Sequence, residues 1–134
     1  MEFLDTKLLI YAHDSSAGAK RERAMELVVD LGKLRSGALS VQVLSEFYHV
    51  ATRKLGMAST TAEGIISNFG TWTIHRPGHG DILSAADLHR RLKTSWWDAL
   101  ILNSAIELGC TTLWTEDFND GQRAGGVTVR NPFR

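Results

Sequence analysis

Ala38-Leu39-Ser40-Val41, running directly into Gln42-Val43-Leu44-Ser45-Glu46-Phe47-Tyr48-His49-Val50-Ala51-Thr52-Arg53-Lys54-Leu55-Gly56, carries two hydrophobic periods in one stretch. The first four residues read as a short strand. Val43-Leu44, Phe47, Val50-Ala51 and Leu55 then recur at helical spacing, and Gly56 is placed to stop the helix. A strand feeding straight into a helix is the repeating unit of parallel α/β architecture, so the question is whether the rest of the chain repeats it.

It does. Phe3-Leu4 reads as a short buried strand ending near Asp5, with a turn and a helical turn through Leu8-Leu9-Ile10-Tyr11-Ala12. Ala24, Leu27, Val28, Leu31 and Leu34 predict an amphipathic helix over Arg23 to Leu34. Ser59 or Thr60 can cap a third helix, Glu63 completing a capping box with Thr60, and Ile65, Ile66 and Phe69 form its apolar side before Gly70. Trp72-Thr73-Ile74-His75 alternates like a strand, Pro77-Gly78 breaks it, and Ile82, Leu83, Ala86, His89 and Leu92 mark another helix. Ser95-Trp96-Trp97-Asp98 repeats the capping pattern ahead of Ala99, Leu102, Ala105, Ile106 and Leu108, with Gly109 at the end. Thr111 to Thr115 is strand-like, Glu116 to Gly126 reads as a polar loop, and Val127-Thr128-Val129 as the last strand. Strands alternating with helices predict an α/β fold with a mostly parallel sheet covered on both faces. At 134 residues, the expectation is one domain over 1–134.

Composition narrows the function. The 15 Lys+Arg balance 15 Asp+Glu, which argues against coating nucleic acid by bulk positive charge; if four carboxylates are sequestered around cations, 11 acidic groups remain and the surface turns mildly basic. Cys110 is the only cysteine, so no intrachain disulfide forms and a reducing compartment fits best. Met1-Glu2-Phe3-Leu4-Asp5 lacks the character of a signal peptide, and no apolar run approaches a membrane span of ~20 residues. The expected location is the cytoplasm.

The acids supply the chemistry. Asp5 ends the first strand, Asp117 follows the strand through Trp114-Thr115, Asp98 lies in the first turn of a helix, and Glu46 lies on the helix after the second strand. Ligands of parallel α/β sheets bind beyond the carboxyl ends of the strands, where these side chains would project. Hard cations such as Mg2+ or Mn2+ take oxygen ligands, and two of them roughly 3.5–4 Å apart can clamp the attacking and leaving oxygens of a phosphodiester. Each acid alone is ordinarily a solvated group or a cap, Asp98 above all, so the weight rests on the combination.

Four segments in this order make the chain resemble PIN-domain nucleases, in particular the VapC-like toxins of bacterial toxin–antitoxin pairs. They are Phe3-Leu4-Asp5-Thr6, Leu44-Ser45-Glu46-Phe47-Tyr48, Ser95-Trp96-Trp97-Asp98-Ala99-Leu100-Ile101 and Thr115-Glu116-Asp117-Phe118-Asn119-Asp120-Gly121, with Val127-Thr128-Val129 and Asn131-Pro132-Phe133 closing the likeness. The resemblance implies a PIN-like three-layer α/β/α sandwich and a metal-dependent endoribonuclease. It makes Asp5, Glu46, Asp98 and Asp117 the acidic, metal-binding quartet and Thr115 a supporting hydroxyl. Asp120 becomes a further ligand candidate, although an Asp-Gly turn is the commoner reading. The same likeness implies Mg2+ or Mn2+, RNA as substrate, a homodimer and a cognate antitoxin. One departure stands out: relatives usually carry Asp-x-Asn where Asp5-Thr6-Lys7 occurs here. The Lys7 amine is in reach of Asp5 or Asp98, where it would compete with a metal and attenuate activity, or it faces solvent. A chain weakened this way would act as a binding module for antitoxin or RNA without turnover.

Other residues carry weaker signals. Tyr11, Tyr48, Trp96 and Trp97 are candidates for stacking unpaired bases, against the commoner role of packing. Arg53-Lys54, Arg90-Arg91-Lys93 and Arg123 are candidates for phosphate contacts, against solvated helix faces. The five histidines show no metal-ligand spacing, and Ser45 lacks the Gly-x-Ser-x-Gly elbow of a serine hydrolase.

Overall fold

A computed structural model describes residues 1–134. The strands are β1 (Glu2–Leu4), β2 (Gly37–Ser40), β3 (Thr73–His75), β4 (Thr112–Trp114), β5 (Arg123–Ala124) and β6 (Val127–Arg130), in one sheet of order β3-β2-β1-β4-β6-β5. All pairings are parallel except β5 with β6. The helices are α1 (Thr6–Ala12), α2 (Ala19–Leu34), α3 (Val41–Arg53), α4 (Ser59–Asn68), α5 (His79–Leu92) and α6 (Trp96–Glu107). They pack as two groups, α1 with α2 and α3 and α3 with α4, against α5 with α6, giving the α/β/α sandwich that the alternation implies.

The central strands are short and apolar because both their faces are covered. Phe3, Leu4, Ala38, Leu39 and Leu113 are fully buried, as are Leu8 and Leu9 of α1 and Phe47 of α3. Each large side chain so buried contributes about 1.5–3 kcal/mol relative to exposure. Ser40 ends β2 and also caps α3, its Oγ accepting from Val43 N–H at 3.2 Å, so no loop separates them. Gly37 is the exception to the apolar run: a Cβ there would lie 2.3 Å from the Trp72 ring, which packs over the strand instead.

Three boundaries differ from the sequence expectations. Helix α4 starts after Ala58, so Ser59 and Thr60 lie inside it and no side chain caps it. Gly56 at φ 65° and a bond from Met57 N–H to Ala51 O at 3.0 Å have already turned the chain, and Ala58 O accepts from Thr61 and Ala62. The loop from Glu116 to Gly126 contains β5, which pairs antiparallel with β6 through Arg123 and Ala124. Helix α2 begins a turn before Arg23, at Ala19. No helix is long and apolar enough to cross a membrane.

Candidate metal centre

The sheet order reverses at β1, whose neighbours are β2 on one side and β4 on the other. In parallel α/β sheets a crevice opens at such a reversal, beyond the carboxyl ends of the strands. Asp5 follows β1 there and is 3% exposed, its N–H bonded to Trp114 O at 3.1 Å. Asp117 follows β4, and Asp98 lies in the first turn of α6. One carboxylate oxygen from each of Asp5, Asp98 and Asp117 falls within 4.8 Å of the others.

Thr115 organises this cluster. Completely buried, its hydroxyl donates to Asp5 Oδ2 at 2.7 Å and accepts from Asp117 N–H at 3.1 Å. One side chain thereby fixes the carboxylate of one strand end and the backbone of the other. Ser95 does the same for α6, its Oγ accepting from Asp98 N–H at 3.1 Å. The reciprocal bond, from Ser95 N–H to the Asp98 carboxylate, is not formed, so Asp98 is capped through its backbone and its carboxylate is turned to the cluster.

Burial, reinforced by crowding of like charges, makes these carboxyls harder to ionise. Burial pushes Asp5 up to about 7; the Thr115 hydroxyl opposes this, and the neighbouring Asp117 and Asp98 charges reinforce it. Half-buried Asp98 is also raised, chiefly by burial, against the Ser95 hydroxyl. A pocket of three oxygen donors that resists holding its own negative charge is suited to a hard divalent cation.

Glu46 is a neighbour of this cluster and not a member of it. Its Oε2 accepts from Thr6 Oγ1 at 3.1 Å and its Oε1 from Gln42 Nε2 at 2.6 Å, so both oxygens are already engaged. Of the four acids expected in one ligand set, three converge and Glu46 is not among them; the Thr6 hydroxyl ties it to the residue that follows Asp5. Lys7 reaches neither Asp5 nor Asp98; its Nζ lies 2.5 Å from Asp117 Oδ1. The Asp117 hydrogen bond raises Lys7 above the usual lysine value and holds it charged. Asp120 is outside the cluster and accepts from Asn131 N–H at 2.8 Å beside Gly121, whose φ is 85°, in agreement with the turn reading.

The remaining candidates fall in several places. Arg53 ends α3 exposed. Arg91 is paired with Asp87 at 2.8 Å in a separate cleft with Leu83 and Arg123, to which none of the site acids contributes. Trp96 is half-buried, edge-on to His89 at 6.3 Å, whereas Trp97, 62% exposed, lines a groove with Gln42, Glu46 and His49. His75 joins the buried Ser104 hydroxyl at 2.7 Å and approaches Asp81 at 3.6 Å; with Ser104 fully buried, this Ser–His–Asp row ties β3 to α5 and α6 and offers no nucleophile.

Two contributors went unread in the sequence. Gln42 precedes Glu46 by one helical turn, and its Nε2 also approaches Trp97 O at 3.3 Å, linking α3 to the first turn of α6. Glu116 receives the Tyr11 hydroxyl and the Lys20 ammonium, the latter at 2.9 Å, pinning the segment just before Asp117 to α1 and α2. Burial pushes Glu116 up, but these two donors outweigh it and leave it below the ordinary glutamate value. The i, i+4 spacing of Gln42 was a usable signal, whereas nothing local marks Tyr11 or Lys20.

A family model described as PIN domain matches residues 3–124. Among solved structures, the fold is similar to the Mycobacterium tuberculosis toxin VapC20, described as a sarcin–ricin loop cleaving toxin, at 17% identity and TM-score 0.70 over 84% of this chain and 87% of that one. It is also similar to a chain of a Klebsiella pneumoniae toxin–antitoxin complex, at 20% identity and TM-score 0.70 over 98% of both. DNA-bound VapBC from Salmonella typhimurium aligns at 18% identity and TM-score 0.65 over 98% of this chain and 97% of that one. No curated protein sequence matches the chain.

Proposed function

The chain belongs to the PIN-domain family, and from that premise we propose that it is a divalent-metal-dependent endoribonuclease, the VapC-like toxin of a toxin–antitoxin pair. The observation that carries this is the convergence of Asp5, Asp98 and Asp117 within 4.8 Å at the reversal point of the sheet. Asp5, Asp98 and Asp117 would hold Mg2+ or Mn2+, with Glu46 at the margin. A cation bound there supplies Lewis-acid chemistry, polarising a phosphate oxygen and acidifying water for attack on phosphorus.

The chain's own residues do the rest. Thr115 keeps the Asp5 carboxylate in one orientation and sets the Asp117 backbone, so ligand geometry is prepared before substrate arrives. Trp97 offers an open aromatic face next to Asp98, where an unpaired base can stack while its phosphate meets the acids. The fold shared with VapC20 supports RNA as the substrate, and the fold shared with chains of toxin–antitoxin complexes supports an antitoxin partner; a homodimer is part of the same proposal.

Replacing Asp5 or Asp98 by Asn is expected to lower cleavage of a single-stranded RNA by at least about a thousandfold, with circular dichroism unchanged. Cleavage by either variant at the parental rate would remove the assignment. A second reading is favoured by the Lys7–Asp117 contact of 2.5 Å: a binding module that keeps its partner but has lost turnover. Growth arrest on expressing the parental chain supports the nuclease; arrest only with Lys7→Asn supports the module.

A further inference from the structure

Resting on the reading of the acidic cluster as a metal centre, we infer that Lys7 is a built-in cation of that centre, so the chain takes up one divalent ion and not two. Its ammonium lies 2.5 Å from Asp117 Oδ1 and is carried on the first turn of α1, directly after Asp5. Short covalent spacing from the buried Asp5 keeps that amine at the cluster even though its side chain is 53% exposed.

Charge and ligand supply point the same way. Three carboxylates against one ammonium leave two negative charges, the charge of one divalent ion. A second ion would need further anionic oxygens. Glu46 lies outside the cluster, and its Oε1 accepts from Gln42 and its Oε2 from Thr6. Asp117 Oδ1 is taken by Lys7 itself. A second dication would therefore have to share these oxygens with three hydrogen-bond donors, one of them the Lys7 ammonium, while the first draws on the Asp5, Asp98 and Asp117 oxygens that already converge.

The consequence for the reaction concerns the phosphate. An ammonium at this position keeps two donors free of the Asp117 bond for a phosphate oxygen, the charge neutralisation that a second ion would otherwise provide. Lys7 would then be a positioning and neutralising group whose loss changes the number of ions or how tightly the first is held.

Mn2+ titration of the full chain, followed by calorimetry and by the electron paramagnetic resonance of free Mn2+, tests this without measuring turnover. One ion per chain is expected for the parental protein. In Lys7→Asn, either a second ion or at least about tenfold tighter binding of the first is expected, because a positive charge beside the ligand Asp117 is removed. Lys7→Arg, which keeps the charge, should retain one ion at near-parental affinity. Two ions in the parental chain, or identical stoichiometry and affinity in the parental chain and Lys7→Asn, would overturn the inference while leaving the metal centre intact. Absence of binding in every variant would overturn both. An unchanged thermal unfolding midpoint in Lys7→Asn shows that the comparison is between folded proteins.

Discussion

Asp5 is where burial and charge conflict most, and the sign of the conflict is measurable. An ordinary aspartate ionises near 3.8, whereas burial, against the Thr115 bond and with the help of Asp117 and Asp98, moves Asp5 to about 7. Between those values the folded chain holds a proton that the unfolded chain has released. Metal-free stability therefore falls as pH rises through this window and levels off above it. A divalent ion takes only the ionised carboxylate, so its uptake displaces that proton. Calorimetry in buffers of different ionisation enthalpy should show about one proton released near pH 6 and almost none near pH 8; equal release at both would mean that Asp5 is already charged. Thr115→Val is expected to move this profile further up, since it removes the hydroxyl that favours the charged form. It also strands a buried carboxylate oxygen and the Asp117 N–H, a cost of about 1–3 kcal/mol that urea unfolding would read. Thr115→Ser should restore both. Asp5 and Asp117 were legible in the sequence because Asp5 directly follows β1 and Asp117 comes three residues after β4, but their conflict was not, since it depends first on how completely the folded chain buries Asp5.

The elements that present these groups were legible where local chemistry decides them. Ser40 and Ser95 show two cases: both end an extended stretch, both precede helical spacing, and both accept an N–H from the third residue onward. Ser95→Ala should cost about 1 kcal/mol by thermal unfolding. Because Asp98 is the residue it holds, the same variant should also bind Mn2+ more weakly, an effect that an ordinary surface cap would lack. Thr60 with Glu63 carries the same local signal as Ser95 with Asp98, yet α4 begins after Ala58, because the turn at Gly56 and Met57 had already set its direction. Strand β5 was missed for a related reason: Arg123-Ala124 has no strand character of its own and pairs only because β6 lies antiparallel to it. Gly37 belongs to the same class, its need set by an aromatic ring 35 positions away. A methyl group added there meets Trp72, which also packs edge-on against Phe69 at 5.0 Å, so Gly37→Ala should cost about 1–3 kcal/mol, and more than an alanine at the open Gly64.

Across the whole molecule, the charge balance decides how a nucleic acid could be held. With 15 basic and 15 acidic residues, no net charge draws in a polyanion, and the carboxyl ends of the central strands, where the acids converge, repel one. Arginines gather in a separate cleft: Arg23, Arg130 and Arg134 line it beside the end of β6, which neighbours β4. They are too few to outweigh three carboxylates in contact distance of an incoming phosphate unless those carboxylates are first neutralised. RNA affinity should therefore depend on the divalent ion as strongly as turnover does. Fluorescence anisotropy with a short single-stranded oligonucleotide of non-cleavable backbone should show binding in Mn2+ that weakens by at least about tenfold in chelator. The salt dependence in Mn2+ should be shallow, because few phosphates are contacted by side chains. Trp97→Ala should weaken binding by a further factor of about five to a hundred without altering the salt slope, since stacking carries no charge. Binding indifferent to chelator would instead place the RNA on the arginine cleft and leave the acids to act only on a strand that other residues have already secured.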